Sequence, residues 1–304
     1  MRFCFILEEQ YREESMPTVI AEQLRQWGHN VDILEPGKTI TSLFDLPTQH
    51  YDAYVLKTVS DGPGLSILEA AEAIGLPTIN NSRAIHMVRD KAIATAYAHA
   101  HGIPTPLTYF VAQTQLLEQV PEKDYPLVIK PANGSSGRGV NLVHSPTELK
   151  ALQAVTRPAK GNFWLAQHYI NNTGFDIKVY VTGKEVYSVA KRSPLHPEID
   201  VDKQLIPITL ELRNLALRVG AIFGLDIYGL DVIQTEEGLM VVDINDFPSF
   251  GLVPHAITRV SKHIIAIAKR SYAQRQPTAL AAASNSSNLT PLPMITQEEK
   301  KPLS

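Results

Sequence analysis

The chain has 304 residues, 44% of them hydrophobic and 19% charged, and 28 Lys and Arg against 31 Asp and Glu give a formal net charge of −3. That profile is of an ordinary globular protein with enough chain for two domains or one large one. Near-neutral charge excludes the basic footprint with which DNA-binding proteins neutralise phosphates and leaves room only for a local basic pocket.

The first element in chain order is a strand over residues 2–7, Arg-Phe-Cys-Phe-Ile-Leu. It carries the single cysteine, Cys4, which reads as a buried small hydrophobe and excludes both a disulfide framework and a cysteine metal cluster. A helix-period segment from Thr18 to Trp27, a strand at Val31–Leu34 and another at 53–57 come next, so strand, helix and strand alternate as in a small parallel α/β unit. Helices are expected from Leu65 to Ile74, stopped by Gly75 and Pro77, and from Arg83 to Ala100, stopped by Gly102. The texture then changes to strand pairs. Residues 126–130 and 140–143 form a hairpin around a glycine loop, and Ser145-Pro146-Thr147-Glu148 opens a helix as a capping box. Strands are expected at 164–170, 177–181 and 186–190, a helix at Thr209–Phe223, a hairpin at 228–245 and a last helix near 256–270. Beyond about Tyr272 the Ser/Asn/Pro/Gln-rich tail, 272–304, lacks the apolar surface to order itself and is expected to be disordered. No apolar run approaches the roughly 18 residues of a membrane helix, and the opening strand meets Glu8-Glu9 at once. A cytoplasmic protein without membrane contact is expected.

The last hairpin carries the sharpest chemistry. A three-residue turn with Gly238 in its left-handed position makes paired residue numbers sum to 474, which sets Asp231 opposite Asp243 and puts Asn245 on the same face. Two carboxylates about 5 Å apart repel, so something cationic belongs between them. Two carboxylates and an amide oxygen are hard donors suited to Mg²⁺, one ion or two, and Mn²⁺ would accept the same set. A solvated hairpin face is the plain alternative, disfavoured by the apolar neighbours. The loop Asn133-Gly134-Ser135-Ser136-Gly137-Arg138-Gly139 is not a Walker A loop, since no Gly-Lys-Ser/Thr follows, nor a Rossmann fingerprint, since it returns into a strand; at a hairpin tip it can cover phosphates with backbone N–H groups or stand as a flexible solvent loop. Lys130, ending the strand before it, is placed to reach those phosphates or to snorkel to water. Lys57 and Lys191-Arg192 follow apolar strands and Lys178 precedes one; any one of them alone reads as a surface residue, but together at strand ends of an α/β fold they point toward the carboxyl-end crevice. The histidines show no metal spacing, and no Gly-x-Ser-x-Gly elbow supports a serine hydrolase.

Arg89-Asp90-Lys91, Gly102-Ile103-Pro104-Thr105-Pro106, Leu127-Val128-Ile129-Lys130 with its glycine flap, Ala166-Gln167-His168-Tyr169-Ile170, Gly229-Leu230-Asp231 and Val242-Asp243-Ile244-Asn245 occur in the order expected of an ATP-grasp enzyme. Over residues 1–270 the chain resembles the RimK-type branch. The resemblance implies an N-terminal α/β domain, 1–81, followed by two α+β lobes of an ATP-grasp domain, 82–271, with the hinge near 167–170. It implies ATP held between the lobes. Lys91 and Lys130 then face the phosphates or the adenine side, as do Gly134, Ser135 and Gly137 of the flap. Gln167, His168, Tyr169 and Ile170 bond adenine through backbone groups, Asp176 reaches the ribose, and Asp231, Asp243 and Asn245 hold the metal. Two positions depart from the pattern: His168 replaces a usual Glu, and Asp243 replaces a frequent Glu.

The resemblance thus implies an ATP- and Mg-dependent carboxylate–amine ligase acting through an acylphosphate on an amino acid or peptide, with Lys130 and Arg192 as its catalytic candidates. The alternative is an ATP-grasp kinase for an inositol phosphate or similar polyol, which the chain resembles at Tyr54–Asp61, at Gln167–Asn172 and at Asp243–Pro248. Lys57, Arg138, Lys178 and Arg192 would then face the substrate. In keeping with that alternative, the Arg-Ser-Asn triplet of RimK-type ligases is missing after Arg192, and Phe247-Pro248-Ser249-Phe250 replaces their Ser-Pro-Gly. The partner in either case is a small molecule or peptide and not DNA, with a homo-oligomer left open.

Overall fold

The computed structural model describes residues 1–11, 15–57, 62–132, 139–155, 163–196 and 198–285. Its first part is β1 (Arg2–Leu7), α1 (Ser15–Gln26), β2 (Asn30–Leu34), β3 (Ala53–Lys57), α2 (Pro63–Ala73) and β4 (Thr78–Ile79). The four strands form a parallel sheet in the order β2-β1-β3-β4. Helices on its faces bury Phe3 through Leu7 without alternation, which explains the continuous apolar run of β1.

The helix expected over 83–100 is two helices, α3 (Ser82–Arg89) and α4 (Lys91–Ala100). Asp90 separates them in an extended conformation, and its carboxylate accepts from the amides of Ala92 and Ile93, capping α4. That break puts Lys91 in the first turn of α4.

An antiparallel sheet comes next, built from β5 (Thr108–Val111), β6 (Leu127–Pro131), β7 (Asn141–Val143) and β8 (Trp164–His168) in the order β5-β8-β6-β7, with α5 (Pro146–Val155) between β7 and β8. A second antiparallel sheet, in the order β11-β10-β9-β12-β13, contains β9 (Phe175–Thr182), β10 (Glu185–Arg192), β11 (Gln204–Ile206), β12 (Ile227–Thr235) and β13 (Gly238–Asp246). The helix α6 (Leu210–Phe223), capped by the Thr209 hydroxyl, packs Leu212, Ala216 and Val219 on this sheet. The strands β4, β5 and β11 carry two to four residues each and were not expected from the sequence, because runs that short show no clear period.

The last helix, α7, spans Ala256–Asn285 and so continues past 271, into the segment expected to be disordered. Ala279 and Ala281–Ala283 have high helical propensity, which a reading based on packing surface alone discounted. Residues 286–304 lie outside the described residues. Ile20 and Leu24 of α1 share one core with Val260, Ile264 and Ala268 of α7 and with Tyr180 of β9, so one side of the parallel sheet is packed together with the second antiparallel sheet and α7, while Cys4, Ile6, Tyr54, Leu56, Leu65 and Leu68 form a separate core on the other side. Each fully buried Leu or Ile in that contact contributes about 1.5–3 kcal/mol. Asn80 clamps the same junction, donating to the Ile227 carbonyl at 2.6 Å and accepting from the Asp226 and Ile227 amides at 2.9 Å. Among the described residues no helix is long and apolar enough to cross a membrane.

Candidate active site

The hairpin of β12 and β13 sets Asp231 opposite Asp243 and Gly229 opposite Asn245, the register expected. It reaches that register by a different route. The hairpin closes through the pair Thr235 and Gly238, a two-residue turn and not a three-residue one, and the register then shifts by one between Asp231 and Val232. Gly238 takes a φ of +118° at this tight closure. Val242 is the extra residue on β13, a bulge that leaves its carbonyl free of the ladder, and that carbonyl accepts from Lys130 Nζ at 3.0 Å. Bulges next to a site re-aim side chains, and this one restores the facing of the two acids.

Lys178 of β9 pairs directly with Asp231 across the sheet, and Lys191 of β10 lies opposite Asp176. Period-two alternation thus brings three acids and two lysines to one face. Lys178 Nζ lies 3.0 Å from Asp231 Oδ2, and Lys191 Nζ lies 2.9 Å from Asp231 Oδ1 and 3.7 Å from Asp176 Oδ2. Lys91 Nζ reaches Asp243 Oδ1 at 2.5 Å, and Asn245 Nδ2 donates to Asp231 Oδ2 at 3.4 Å. Ammonium groups thus neutralise both acids, Lys178 and Lys191 at Asp231 and Lys91 at Asp243. Burial alone would raise the Asp231 carboxyl, but Lys178 and Lys191 outweigh it and hold it below the usual carboxylate range. Burial raises Asp176, against the opposing pull of Lys191. Lys191 is itself raised, because attraction to Asp231 and Asp176 exceeds its desolvation.

Lys130 is buried, donating to Gln167 Oε1 at 3.1 Å as well as to Val242. Desolvation lowers its ammonium to about 8; Asp243 opposes that shift and Lys91 adds to it. The Gln167 amide is spent at both ends, since its Nε2 donates to Thr108 Oγ1 at 3.0 Å.

These groups line one cleft of about 900 Å³ including its open mouth, within the range of small-molecule sites. Its lining combines the charged Lys91, Lys130, Asp176, Lys191, Asp231 and Asp243 with the apolar Val128, Ile170, Leu195 and Ile233. Gln167, His168, Tyr169 and Ile170 line it too, so the structure brings together the residues expected at the hinge. At the hinge, His168 N donates to the Leu107 carbonyl and Tyr169 N to the Pro126 carbonyl, both at 2.8 Å, so these two amides are engaged within the protein. These two bonds continue the sheet, Leu107 preceding β5 and Pro126 preceding β6.

Some expected site residues lie elsewhere. Arg192 is half-exposed and paired with Asp200, outside the cleft; alternation on β10 sends its neighbour Lys191 inward in its place. Lys57 Nζ donates to the Phe247 carbonyl at 2.6 Å and sits 5.0 Å from the centre of the Tyr11 ring, also outside the cleft. Lys178 stands behind Asp231 and does not line the cavity. Gly134, Ser135, Gly137 and Arg138 lie outside the described residues. The sequence did not single out the wall Ser193-Pro194-Leu195, whose next residue, His196, bonds Tyr169 Oη through Nε2 at 2.9 Å and Glu198 through Nδ1 at 3.2 Å. Only a loop returning on the hinge could have announced it, and loop paths leave no period in a sequence.

For a divalent metal the donor chemistry fits. Asp231 Oδ1 is buried with no hydrogen bond of good geometry despite the nearby Lys191, and Asn245, donating through Nδ2, keeps its amide oxygen for another partner. Among the described residues no cluster of three or more His, Cys, Asp or Glu could hold a metal. The candidate set is instead two carboxylates and an amide, which suits an ion that completes its shell with water and phosphate oxygens.

A family model described as a RimK-like ATP-grasp domain matches residues 88–267. A probable alpha-L-glutamate ligase of Mannheimia succiniciproducens is 28% identical over 256 residues, which are 74% of this chain and 84% of that protein. An alpha-aminoadipate–LysW ligase of Saccharolobus solfataricus is 29% identical over 210 residues, 66% of this chain and 76% of that protein. Among solved structures, a RimK domain ATP-grasp protein from Sphaerobacter thermophilus superposes with a TM-score of 0.68 at 16% identity, covering 88% of this chain and 98% of that one. A D-alanine–D-alanine ligase from Bacillus anthracis gives 0.65 at 17% identity, covering 91% and 99%. The fold is that of an ATP-grasp enzyme.

Proposed function

The chain belongs to the RimK-like ATP-grasp family, and from that premise we propose that its cleft joins a carboxylate to an amine, driven by ATP. The glutamate and aminoadipate ligases it resembles are named for such reactions. The observation that carries the reading is the facing pair Asp231 and Asp243, neutralised by Lys91, Lys178 and Lys191, in a cleft whose lining is part charged and part apolar. A nucleotide triphosphate has the complementary chemistry, with an apolar base at one end and a highly charged chain at the other.

In this reading residues 1–81 form an α/β domain preceding an ATP-grasp domain of two α+β lobes, 82–271, and the base lies in the cleft beside residues 167–170. Asp176 faces the ribose. Lys130 and Lys91 are the cations nearest the phosphates, and Lys191 takes the role that the sequence suggested for Arg192. Asp231, Asp243 and Asn245 would hold Mg²⁺, which when bound neutralises charge on the transferring phosphoryl group. The substrate carboxylate oxygen attacks the γ-phosphorus and the bond to the ADP oxygen breaks, giving an acylphosphate. The amine then attacks the acyl carbon, phosphate leaves with the bonding electron pair, and the amine gives up a proton. The protein contributes position and preorganised charge, with the buried ammonium of Lys130 held by two acceptors before any phosphate arrives.

The substrate is an amino acid or peptide. The polyol-kinase alternative needs several converging free cations, whereas Lys57 is engaged by Phe247 and Tyr11 and Lys178 by Asp231. ATP turnover against a panel of amino acids, peptides and inositol phosphates tests the choice. Release of ADP with phosphate, dependent on an amine and a carboxylate, is the expected result; ADP with a phosphorylated polyol and no free phosphate would overturn it.

A further inference from the structure

Of Arg89-Asp90-Lys91, the proposed reaction uses Lys91 alone, yet Arg89 is tied to the same strand. Arg89 Nη2 donates to Asp246 Oδ2 at 3.0 Å, and Nε lies 2.9 Å from Oδ1, out of line for a good hydrogen bond. The Asp246 side chain is 6% exposed and that of Arg89 16%, so both charges are held largely out of water. Replacing a buried pair of this kind by apolar side chains of similar volume is often neutral for stability, and the best-attested use of such a pair is to fix register.

What this pair fixes follows from the strand it grips. β13 stands at the end of its sheet's strand order. Alternation turns Asp243 and Asn245 to the cleft face and Ile244 and Asp246 to the opposite one, where Ala84 and Val88 of α3 and Ala94 and Ala98 of α4 share a core with Ile244. Lys91 therefore starts behind the sheet and reaches over the outer edge of β13 to meet Asp243 at 2.5 Å. The helix is broken at Asp90, with φ −83° and ψ 103°, so α3 does not by itself set the direction of the first turn of α4. Arg89 holds Asp246 on one side of the break, and on the other the Lys91 amide adds a long bond, 3.4 Å, to the Ala132 carbonyl.

We propose that Arg89 and Asp246 are the positioning pair for Lys91, clamping the break between α3 and α4 to β13 so that the Lys91 ammonium stands over the acid row before a nucleotide arrives. This rests on the cleft being a nucleotide site, as proposed above. Neither member of the pair touches the nucleotide; both act through Lys91. A misplacement of about 1 Å at such a contact can cost up to about a hundredfold, so a clamp remote from the phosphates is felt at them.

The test is a double-mutant cycle on MgATP affinity, read by titration calorimetry. Arg89→Met with Asp246→Leu removes both charges together and leaves neither orphaned, so melting should stay within about 5 °C of the wild type. MgATP binding is expected to weaken roughly tenfold in that pair and in Lys91→Met alike. Adding the pair to Lys91→Met should weaken binding by less than about twofold more, because the side chain they position is gone. Losses that multiply in the triple variant, or a pair that binds MgATP as the wild type does, would overturn the proposal. Arg89→Lys keeps the charge with a shorter reach and serves if the paired replacement does not fold. It should raise KM for MgATP roughly threefold with KM for the carboxylate substrate unchanged, and have no effect on MgATP affinity once Lys91 is Met. An equal loss in both backgrounds would overturn the proposal as well. A wild type that binds no MgATP would overturn it together with the nucleotide reading, which the other adverse results leave standing.

Discussion

Replacing Lys130 by Met should separate stability from nucleotide binding. The ammonium is buried and titrates near 8 in place of 10.5, so at pH 7 keeping it charged costs the folded state about 3 kcal/mol. Met fills a similar volume and removes that cost. It also orphans two acceptors, Gln167 Oε1 and the Val242 carbonyl, at about 1–3 kcal/mol each. The two effects oppose, so Lys130→Met is expected to lie between about 1 kcal/mol more stable and about 3 kcal/mol less stable than the wild type at pH 7 by urea denaturation. Between the folded value near 8 and the unfolded value of 10.5, the unfolded wild type binds more protons than the folded form, so its stability rises with pH relative to the variant. By pH 10.5 that relative gain approaches about 3 kcal/mol. Nucleotide phosphates lose a preorganised cation, and MgATP affinity measured by calorimetry should fall at least about tenfold. A variant that loses more than about 4 kcal/mol at pH 7, shows no divergence at high pH and binds MgATP normally would rule out this role for Lys130.

Asp231→Asn leaves Lys178 and Lys191 buried without their shared anion and should lower stability at pH 7 by about 3–5 kcal/mol in denaturant melts. Because the Asp231 carboxyl is depressed in the folded state, its contribution is present above the unfolded value and fades as pH falls through the folded one; the two proteins should converge in acid. His196→Phe removes the bond to Tyr169 that ties the Ser193–Leu195 wall to the hinge, so KM for ATP should rise roughly fivefold with kcat little changed, and Tyr169→Phe should match it. Gly220→Ala would set a Cβ 2.2 Å from the Tyr228 hydroxyl, which donates to the Ala216 carbonyl, and should cost about 1–3 kcal/mol in thermal melts.

The acid row was legible because it rests on a local hairpin, where alternation and turn length set the register. The turn itself was misjudged by one residue, and the bulge at Val242 cancelled the difference, so Asp231 met Asp243 for a reason the sequence did not show. Lys91 and Lys130 were visible as cations at the ends of apolar or helical runs. The choice between Lys191 and Arg192 was not, since adjacent residues on a strand face opposite ways and only the partner strand says which way is in. The unity of the helix over 83–100 failed at Asp90, whose side chain caps the next helix more favourably than it sits within one. The spent amides at the hinge and the Tyr169–His196 bond depend on loops meeting across long sequence separations, and no periodicity carries that information.

In the proposed reaction a substrate carboxylate attacks ATP and is carried forward as an acylphosphate. Supplying the active carboxylate substrate with both oxygens as ¹⁸O, and weighing the released phosphate by mass spectrometry, tests it most directly. Phosphate carrying one ¹⁸O, formed only when amine and MgATP are present and lost in Asp243→Ala, is the expected result. Unlabelled phosphate, or ADP formed while the phosphoryl group stays on a hydroxyl acceptor, would contradict the account.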